Sequence, residues 1–314
     1  MNFIKAAAIA ISAVIACGAA EAKMPKEVNI VYVKAPFNLQ NMVIKDQKLL
    51  EKAFAKDGVK VNWKTITSGA QQSQAMAAGS VDVSAVMNTA SLLLANGAGN
   101  PVQIATGIAH PSENFAIVVK SGSIKSIKDL KGKRVAGPRG TVLQQLLLAA
   151  LAKNGMKATD AQFISMGIPE SLAAVTSGRV DAALLAASAV VKAEESGCRV
   201  LTTAKGLVDV NLVMTARKGF ADESPEALAT IVKVNRESLK WIKSHWKEAI
   251  AIGAKEQGIS VSQAETLARR SHYYDVLTQT DIKGLEADQK FLVESGLMAH
   301  PVNVKSLILP GAMK

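Results

Sequence analysis

The stretch 129-DLKGKRVAGPRGTVLQQLLLAALAKNG-155 decides how this chain folds. A basic turn leads into a short apolar run, Lys133 to Gly137, which reads as a strand. Pro138-Arg139-Gly140 then forms a loop, and a long apolar helix begins at Thr141. A strand, a glycine loop and a helix in that order leave the first backbone N–H groups of the helix unpaired. They point outward, at the positive end of the helix dipole, where an anion or a polar group can use them. Gly140 lets the backbone come close to such a group, and Arg139 either adds a charge-assisted bond or faces water. The stretch therefore reads as half of a binding site.

A chain of 314 residues at 49% hydrophobic content can bury one large core or two medium ones, and the length favours two lobes. Aromatic residues are only 4% of the chain, too few for a nucleic-acid stacking platform or an aromatic sugar cleft. The net charge of +11 comes from lysines spread along amphipathic segments, with no long basic run. That pattern is a solvated surface, and no nucleic-acid partner is expected.

The first residues, MNFIKAAAIAISAVIACGAAEAK, place Lys5 before an apolar run from Ala6 to Ala16 and close on Ala20-Glu21-Ala22. This is the pattern of a secretory signal peptide over 1–22, cleaved after Ala22 and directing the mature chain to the periplasm. Val14-Ile15-Ala16-Cys17 also fits a loose bacterial lipoprotein pattern, in which Cys17 would carry lipid. No later segment is apolar for the ~18 residues that a membrane span needs, so a soluble monomer is expected. Once the leader is removed, Cys198 is the only cysteine left, which excludes an internal disulfide, and its place beside RVLTT suggests core.

Short apolar strands alternate with helical segments along the rest of the chain, the pattern of an α/β protein with mostly parallel sheets. Strands are predicted at 28–33, 59–66, 81–87, 102–109, 115–119, 133–137, 161–166, 181–186, 199–203 and 211–216. Helices are predicted around 45–56, 70–78 and 89–95. From Ser224-Pro225 onward the chain is helical, with a further capping box at Ser262 and Glu265. An internal echo links SGAQQSQAMAAGSVDVSAVM (68–87) to MGIPESLAAVTSGRVDAALL (166–185). In each, a glycine opens a helix of about ten residues, and Gly-x-Val-Asp then leads into an apolar strand. Gly79 and Gly178 fit positions just past a helix end, and two similar lobes would then each offer a strand–loop–helix unit to a shared cleft, although any α/β domain also contains such units.

Signals for catalysis are missing. The four histidines, at 110, 245, 272 and 300, have no metal-ligand spacing to one another or to a cysteine. Gly-x-Ser-x-Gly, His-Glu-x-x-His and phosphate-loop motifs do not occur. Ser244-x-x-Lys247 matches a nucleophile pattern by letters, but Trp241 and Trp246 mark its segment as a packed amphipathic helix. No enzyme activity, cofactor or metal is expected.

Asp129-Leu130-Lys131-Gly132-Lys133-Arg134-Val135, the helix after Gly140-Thr141, Gly-x-Val-Asp at 178–181 and the C-terminal GLMAHPVNV together resemble the sulfonate, nitrate and taurine type of solute-binding protein that serves ABC importers. The resemblance implies a type II periplasmic binding fold of two α/β lobes joined by two crossovers. Residues 23–113 would begin lobe I, 114–206 would form lobe II, and 207–314 would complete lobe I with a helical C-terminal third. The crossovers would fall near Ser112 to Phe115 and Ala204 to Asn211. A small anionic or polar organic ligand would sit between the lobes and pass to a membrane permease.

Carried over by position, the pocket would use Pro36, Phe37 and Asn38, then Thr67, Ser68 and Gly69, then Asn88 and Thr89. The other lobe would add Arg139, Gly140 and Thr141, with Met166, Gly167, Ser188 and Asn211. Ser68, Asn88 and Thr141 also fit plain helix caps. The sequence departs from the family in two places. After Val81-Asp82 the family often carries a Gly-Asp or Gly-x-Pro turn, whereas this strand ends in Val86-Met87-Asn88-Thr89-Ala90. After Val180-Asp181 many sulfonate binders place tryptophan, whereas AALLAASAVV stands here, so a roomier, less aromatic pocket is expected. The alternative readings are a periplasmic ligand sensor subunit that passes its bound state to a signalling receptor, and a pyrimidine-synthase-like enzyme of the same fold.

Overall fold

The computed structural model describes residues 24–34, 36–120 and 122–314, so the predicted leader and Cys17 lie outside the described residues. The first four strands, β1 (Glu27–Tyr32), β2 (Lys60–Thr65), β3 (Val83–Asn88) and β4 (Val102–Ala109), belong to one sheet. The next five build a second sheet: β5 (Phe115–Val119), β6 (Arg134–Gly137), β7 (Gln162–Ser165), β8 (Ala182–Ala186) and β9 (Arg199–Thr203). The chain then returns, and β10 (Leu212–Arg217) inserts between β3 and β4.

The sheet orders are β2-β1-β3-β10-β4 and β7-β6-β8-β5-β9. In the first, β1 pairs parallel with β2 and β3, while β10 runs antiparallel to β3 and β4. In the second, β6 pairs parallel with β7 and β8, while β5 runs antiparallel to β8 and β9. The reversed strands, β5 and β10, are those that follow a passage between sheets. A chain leaving the carboxyl end of one sheet and crossing directly enters the other sheet at its facing edge, so its next strand must run away from that edge. The passages are tied together, since Val210 N–H donates to Ser112 Oγ at 2.9 Å.

The strands match the sequence periodicity closely because β5 and β8 are buried along their whole length and read as continuous apolar runs. The helices beside the sheets are α1 (Leu39–Asp46), α2 (Leu49–Phe54), α3 (Gly69–Ala77), α4 (Thr89–Gly97), α5 (Val142–Lys153), α6 (Ile168–Thr176) and α7 (Ser188–Glu195). The helix predicted over 45–56 is two helices, starting earlier. Leu39, Met42, Val43 and Ile44 give α1 a buried face, and Lys48, in a left-handed conformation at φ 52°, breaks the chain before α2.

The internal echo is structural in both copies. Gly79 and Gly178 have φ of 70° and 78° and follow α3 and α6. Gly79 N–H reaches Met76 O and Ser80 N–H reaches Ala75 O; Gly178 and Arg179 bond to Val175 and Ala174 in the same way. These paired bonds close each helix end. The aspartates that follow serve the sheets: Asp82 accepts from Asn29 N–H at 2.9 Å, and Asp181 accepts from Arg134 N–H at 2.8 Å.

The C-terminal region is helical, with α8 (Lys218–Glu223), α9 (Pro225–Ser244), α10 (Trp246–Gln257), α11 (Val261–Arg269) and α12 (Gln279–Glu294). Pro225 opens α9 as expected. The capping box of α11 is formed by Ser260 and Gln263, with bonds of 2.8 and 3.2 Å, and not by Ser262 and Glu265. Beginning at Val261 places Ala264, Leu267 and Ala268 on the buried face. Helices α9 and α10 pack on α1, and α12 packs on α4, so the C-terminal third completes the first sheet's layer. No helix among the described residues is long and apolar enough to cross a membrane. Cys198 is buried in the core.

Candidate functional site

The carboxyl edges of the two sheets face each other across a pocket of about 480 Å³, counting its open mouth. One wall comes from the first sheet's loops: Val33, Pro36, Thr67, Gly69, Asn88 and Ser91. The facing wall comes from Phe115, Pro138, Thr141, Val142, Leu143 and Ile168. Gln72 and Met87 also reach the space, and none of the described lining residues is charged.

Four helices, α3, α4, α5 and α6, begin at this pocket, two from each wall. Each helix start carries unpaired N–H donors and about half a positive charge. The starts are served differently. Ser68 caps α3, its Oγ accepting from Gln71 N–H at 3.4 Å. Asn88 caps α4, its Oδ1 accepting from Ser91 N–H at 2.9 Å. Thr141 stands at the start of α5 but does not cap it, because its hydroxyl donates to Pro138 O at 2.9 Å. The first N–H of α5, on Val142, goes instead to Asn88 Oδ1 at 3.1 Å, across the pocket.

The loop within 129–155 is held both by the opposite wall and by its own helix. Ser91 Oγ donates to Gly140 O at 2.8 Å, and Gly140 N–H donates to Gln144 Oε1 at 2.8 Å. Gly140 has φ 65°, which favours glycine. Gly69 is required by space: a methyl group there would lie 2.0 Å from Ser91 Oγ and 3.0 Å from Gly140 O.

Of the residues predicted for the site, the pocket wall gathers Pro36, Thr67, Gly69, Asn88 and Thr141, with Ser68 and Gly140 adjoining in sequence. The others stand elsewhere. Phe37 is buried among Leu39, Met42 and the α9–α11 helices, and its carbonyl accepts from Tyr273 Oη at 2.6 Å. Asn38 is buried, with both polar side-chain atoms unpaired. Thr89 Oγ1 donates to Asp288 Oδ2 at 2.7 Å, Ser188 Oγ bonds Gln257 Oε1, and Asn211 accepts from the Tyr274 hydroxyl. Arg139 is exposed and lies 5.4 Å over the Phe163 ring, outside the lining. Met166 and Gly167 are half-buried just before α6, whose first residue, Ile168, enters the wall.

The matched region spans most of these elements. Residues 53–249 match the family described as NMT1/THI5 like. The chain belongs to the NMT1/THI5-like family. A protein of Escherichia coli named for aliphatic sulfonate binding is 26% identical to it over 288 residues, covering 91% of this chain and 87% of the relative. The taurine-binding periplasmic protein of the same organism is 30% identical over 188 residues, 58% of each chain. The crystal structure of the alkanesulfonate-binding protein SsuA from Xanthomonas axonopodis pv. citri, bound to MOPS, superimposes with a TM-score of 0.79 at 22% identity. That likeness covers 91% of this chain and 98% of SsuA, and it establishes the two-lobed fold.

Within this NMT1/THI5-like chain, sequence reasoning missed one polar centre behind the pocket. Asp288, on α12, accepts from Thr89 of α4 on one oxygen and from Gln145 Nε2 of α5, at 2.8 Å, on the other. The three side chains are buried, and burial pushes the Asp288 carboxyl above its ordinary value. Gln145 and Asp288 lie 143 residues apart, so no local pattern marks them as partners. Ser91 was also missed, since a serine inside a helix carries no signal until the opposite loop is placed against it. Among the described residues, no His/Cys/Asp/Glu group of three or more is arranged to hold a metal ion.

Proposed function

We propose that this protein is the solute-binding component of an ABC importer, capturing a small organic anion between two lobes and delivering it to a membrane permease. The lobes are residues 23–113 with 207–314, and 114–206, closing about the passages at 112–115 and 204–211. The observation that carries the reading is the convergence of four helix starts, two from each sheet, on one uncharged pocket. Such a pocket stabilises negative charge through backbone dipoles and hydroxyl or amide donors. The valine, leucine, isoleucine and phenylalanine around it accept an apolar body. A sulfonate with a short aliphatic chain meets both demands, in keeping with the names of the relatives. Ligand favours the closed form because only that form lets both walls contact it at once.

Calorimetric titration of the mature protein with butanesulfonate, taurine and nitrate tests this. Saturable one-to-one binding of at least one anion, with the ligand recovered unchanged, is expected; no binding across the set would sink the assignment, and chemical conversion of the ligand would favour an enzyme of this fold. Secretion to the periplasm with cleavage after Ala22 accompanies the reading. The intact mass of exported protein distinguishes a chain starting at Lys23 from one lipidated on Cys17.

A further inference from the structure

We infer that Asn88 couples ligand capture to lobe closure, using one end of its amide for each; the ligand half of this rests on the solute-binding reading above. Asn88 ends β3 and precedes α4, so its backbone is held by the sheet on one side and the helix on the other. Its Oδ1 receives two N–H donors, from Ser91 at 2.9 Å and from Val142 at 3.1 Å. Both partners are backbone donors, so only the carbonyl end of the amide can face them. The Nδ2 end, with its two hydrogens, is thereby turned the other way. It meets no acceptor among the described residues, and Asn88 is half-buried in the pocket wall.

The two contacts depend on each other. Val142 belongs to the second sheet's helix, so the Asn88–Val142 bond exists only while the walls are together. A ligand oxygen accepting from Nδ2 holds the amide in the rotamer that presents Oδ1 to Val142, and each bond polarises the amide in favour of the other. A ligand without an acceptor oxygen at that point gains no help in closing. Asn88 therefore selects for an oxygen-bearing head group, sulfonate or carboxylate, and reports its presence to α5.

The test uses Asn88→Asp and Asn88→Leu in the full mature chain, with two readouts. The first is hydrogen exchange of the Val142 amide, without ligand and with saturating butanesulfonate: in whichever condition brings the walls together, Asn88→Asp keeps an acceptor and retains protection, whereas Asn88→Leu speeds exchange. The second is titration with butanesulfonate. Asn88→Asp exchanges the donor end for a second acceptor that repels an anion, and should weaken binding at least about tenfold. Wild-type affinity in Asn88→Asp would overturn the ligand half, and equal Val142 exchange in wild type and Asn88→Leu under both conditions would overturn the closure half. A wild-type protein indifferent to butanesulfonate, taurine and nitrate alike would count against the importer reading instead, while the ligand-free exchange readout would still decide the interlobe bond.

Discussion

The starts of α4 and α5 face each other across the pocket and obtain their caps by different routes. Helix α4 is capped by the residue before it, Asn88, as its sequence position suggests. Helix α5 follows Thr141, an equally plausible cap, yet that hydroxyl serves the Pro138 carbonyl and the helix takes its cap from Asn88 of the opposite wall. A helix that caps itself keeps its end satisfied whatever the lobes do. A helix capped from across a cleft loses that partner when the cleft opens, so its orphan N–H is available to drive closure again. Under the proposed closing motion, this difference would make α4 the fixed side of the site and α5 the side that senses the distance between walls.

Gly69→Ala should disturb the two helix starts most strongly. The added methyl would lie 2.0 Å from Ser91 Oγ and 3.0 Å from the Gly140 carbonyl, where α3 and α4 meet the α5 loop. Overpacking of this kind costs about 1–3 kcal/mol. The severe clash, with Ser91, lies within one wall and burdens both forms, but relieving it turns the Ser91 hydroxyl away from the Gly140 carbonyl of the other wall, so the closed form also loses that bond. Butanesulfonate affinity should drop by about tenfold or more, and small-angle scattering with saturating ligand should show less compaction than in wild type. Unchanged affinity and compaction would mean that the two helix starts do not need this close approach.

The Asp288 centre sharpens the comparison from behind, since it ties α4 to α5 through buried Thr89 and Gln145. Burial holds its carboxyl above the ordinary 3.8, so the folded protein binds that proton more tightly than the unfolded chain. The favourable contribution is therefore complete below pH 3.8 and is lost as pH rises through the folded-state value. Asp288→Asn cannot titrate. Urea unfolding at a series of pH values should show wild type losing stability relative to Asp288→Asn on going from acid to neutral pH. A difference independent of pH would mean that the carboxyl is not shifted. Asp288→Leu, which leaves Thr89 and Gln145 without an acceptor, should cost about 2 kcal/mol or more at neutral pH.

The smallest effect is expected from Thr141→Val, which keeps the branched shape and removes only the hydroxyl. Since the hydroxyl donates to Pro138, about 1 kcal/mol of stability should be lost while butanesulfonate affinity changes little. A large loss of affinity at unchanged stability would restore Thr141 as a direct ligand contact and weaken the contrast between the two helix starts.

Much of the fold was legible in the chain. The apolar runs at 102–109 and 115–119 became strands over the same residues because a strand buried on both faces reads as a nearly continuous apolar run, and 199–203 matched as well although its strand is only half-buried with Arg199 exposed. Gly79 and Gly178 marked helix ends because both need φ near +70°, a conformation that side chains resist. The start of α1 was hidden because Asn38 makes no side-chain cap there, and the break at Lys48 because a left-handed lysine looks like any other. The α11 cap was misplaced by two residues because Ser260 and Ser262 both begin a capping pattern, and only the burial of Ala264, Leu267 and Ala268 chooses between them. In the site, loop position led to Gly69, Asn88 and Thr141, but also to Phe37, Thr89, Ser188 and Asn211, whose side chains are engaged by the C-terminal helices or the passages.

The chain alone marks which segments are strands, where glycine ends or opens helices, and that a similar strand–loop–helix unit occurs twice. Those features follow from interactions within about ten residues, where periodicity, capping and backbone sterics act. Only the tertiary structure decided that Asn88 serves two helices, that Ser91 holds the Gly140 loop, and that Asp288 joins α4, α5 and α12. Each of those is a directional bond between residues far apart in the chain, and a hydrogen bond exists only once packing has brought donor and acceptor within about 3 Å.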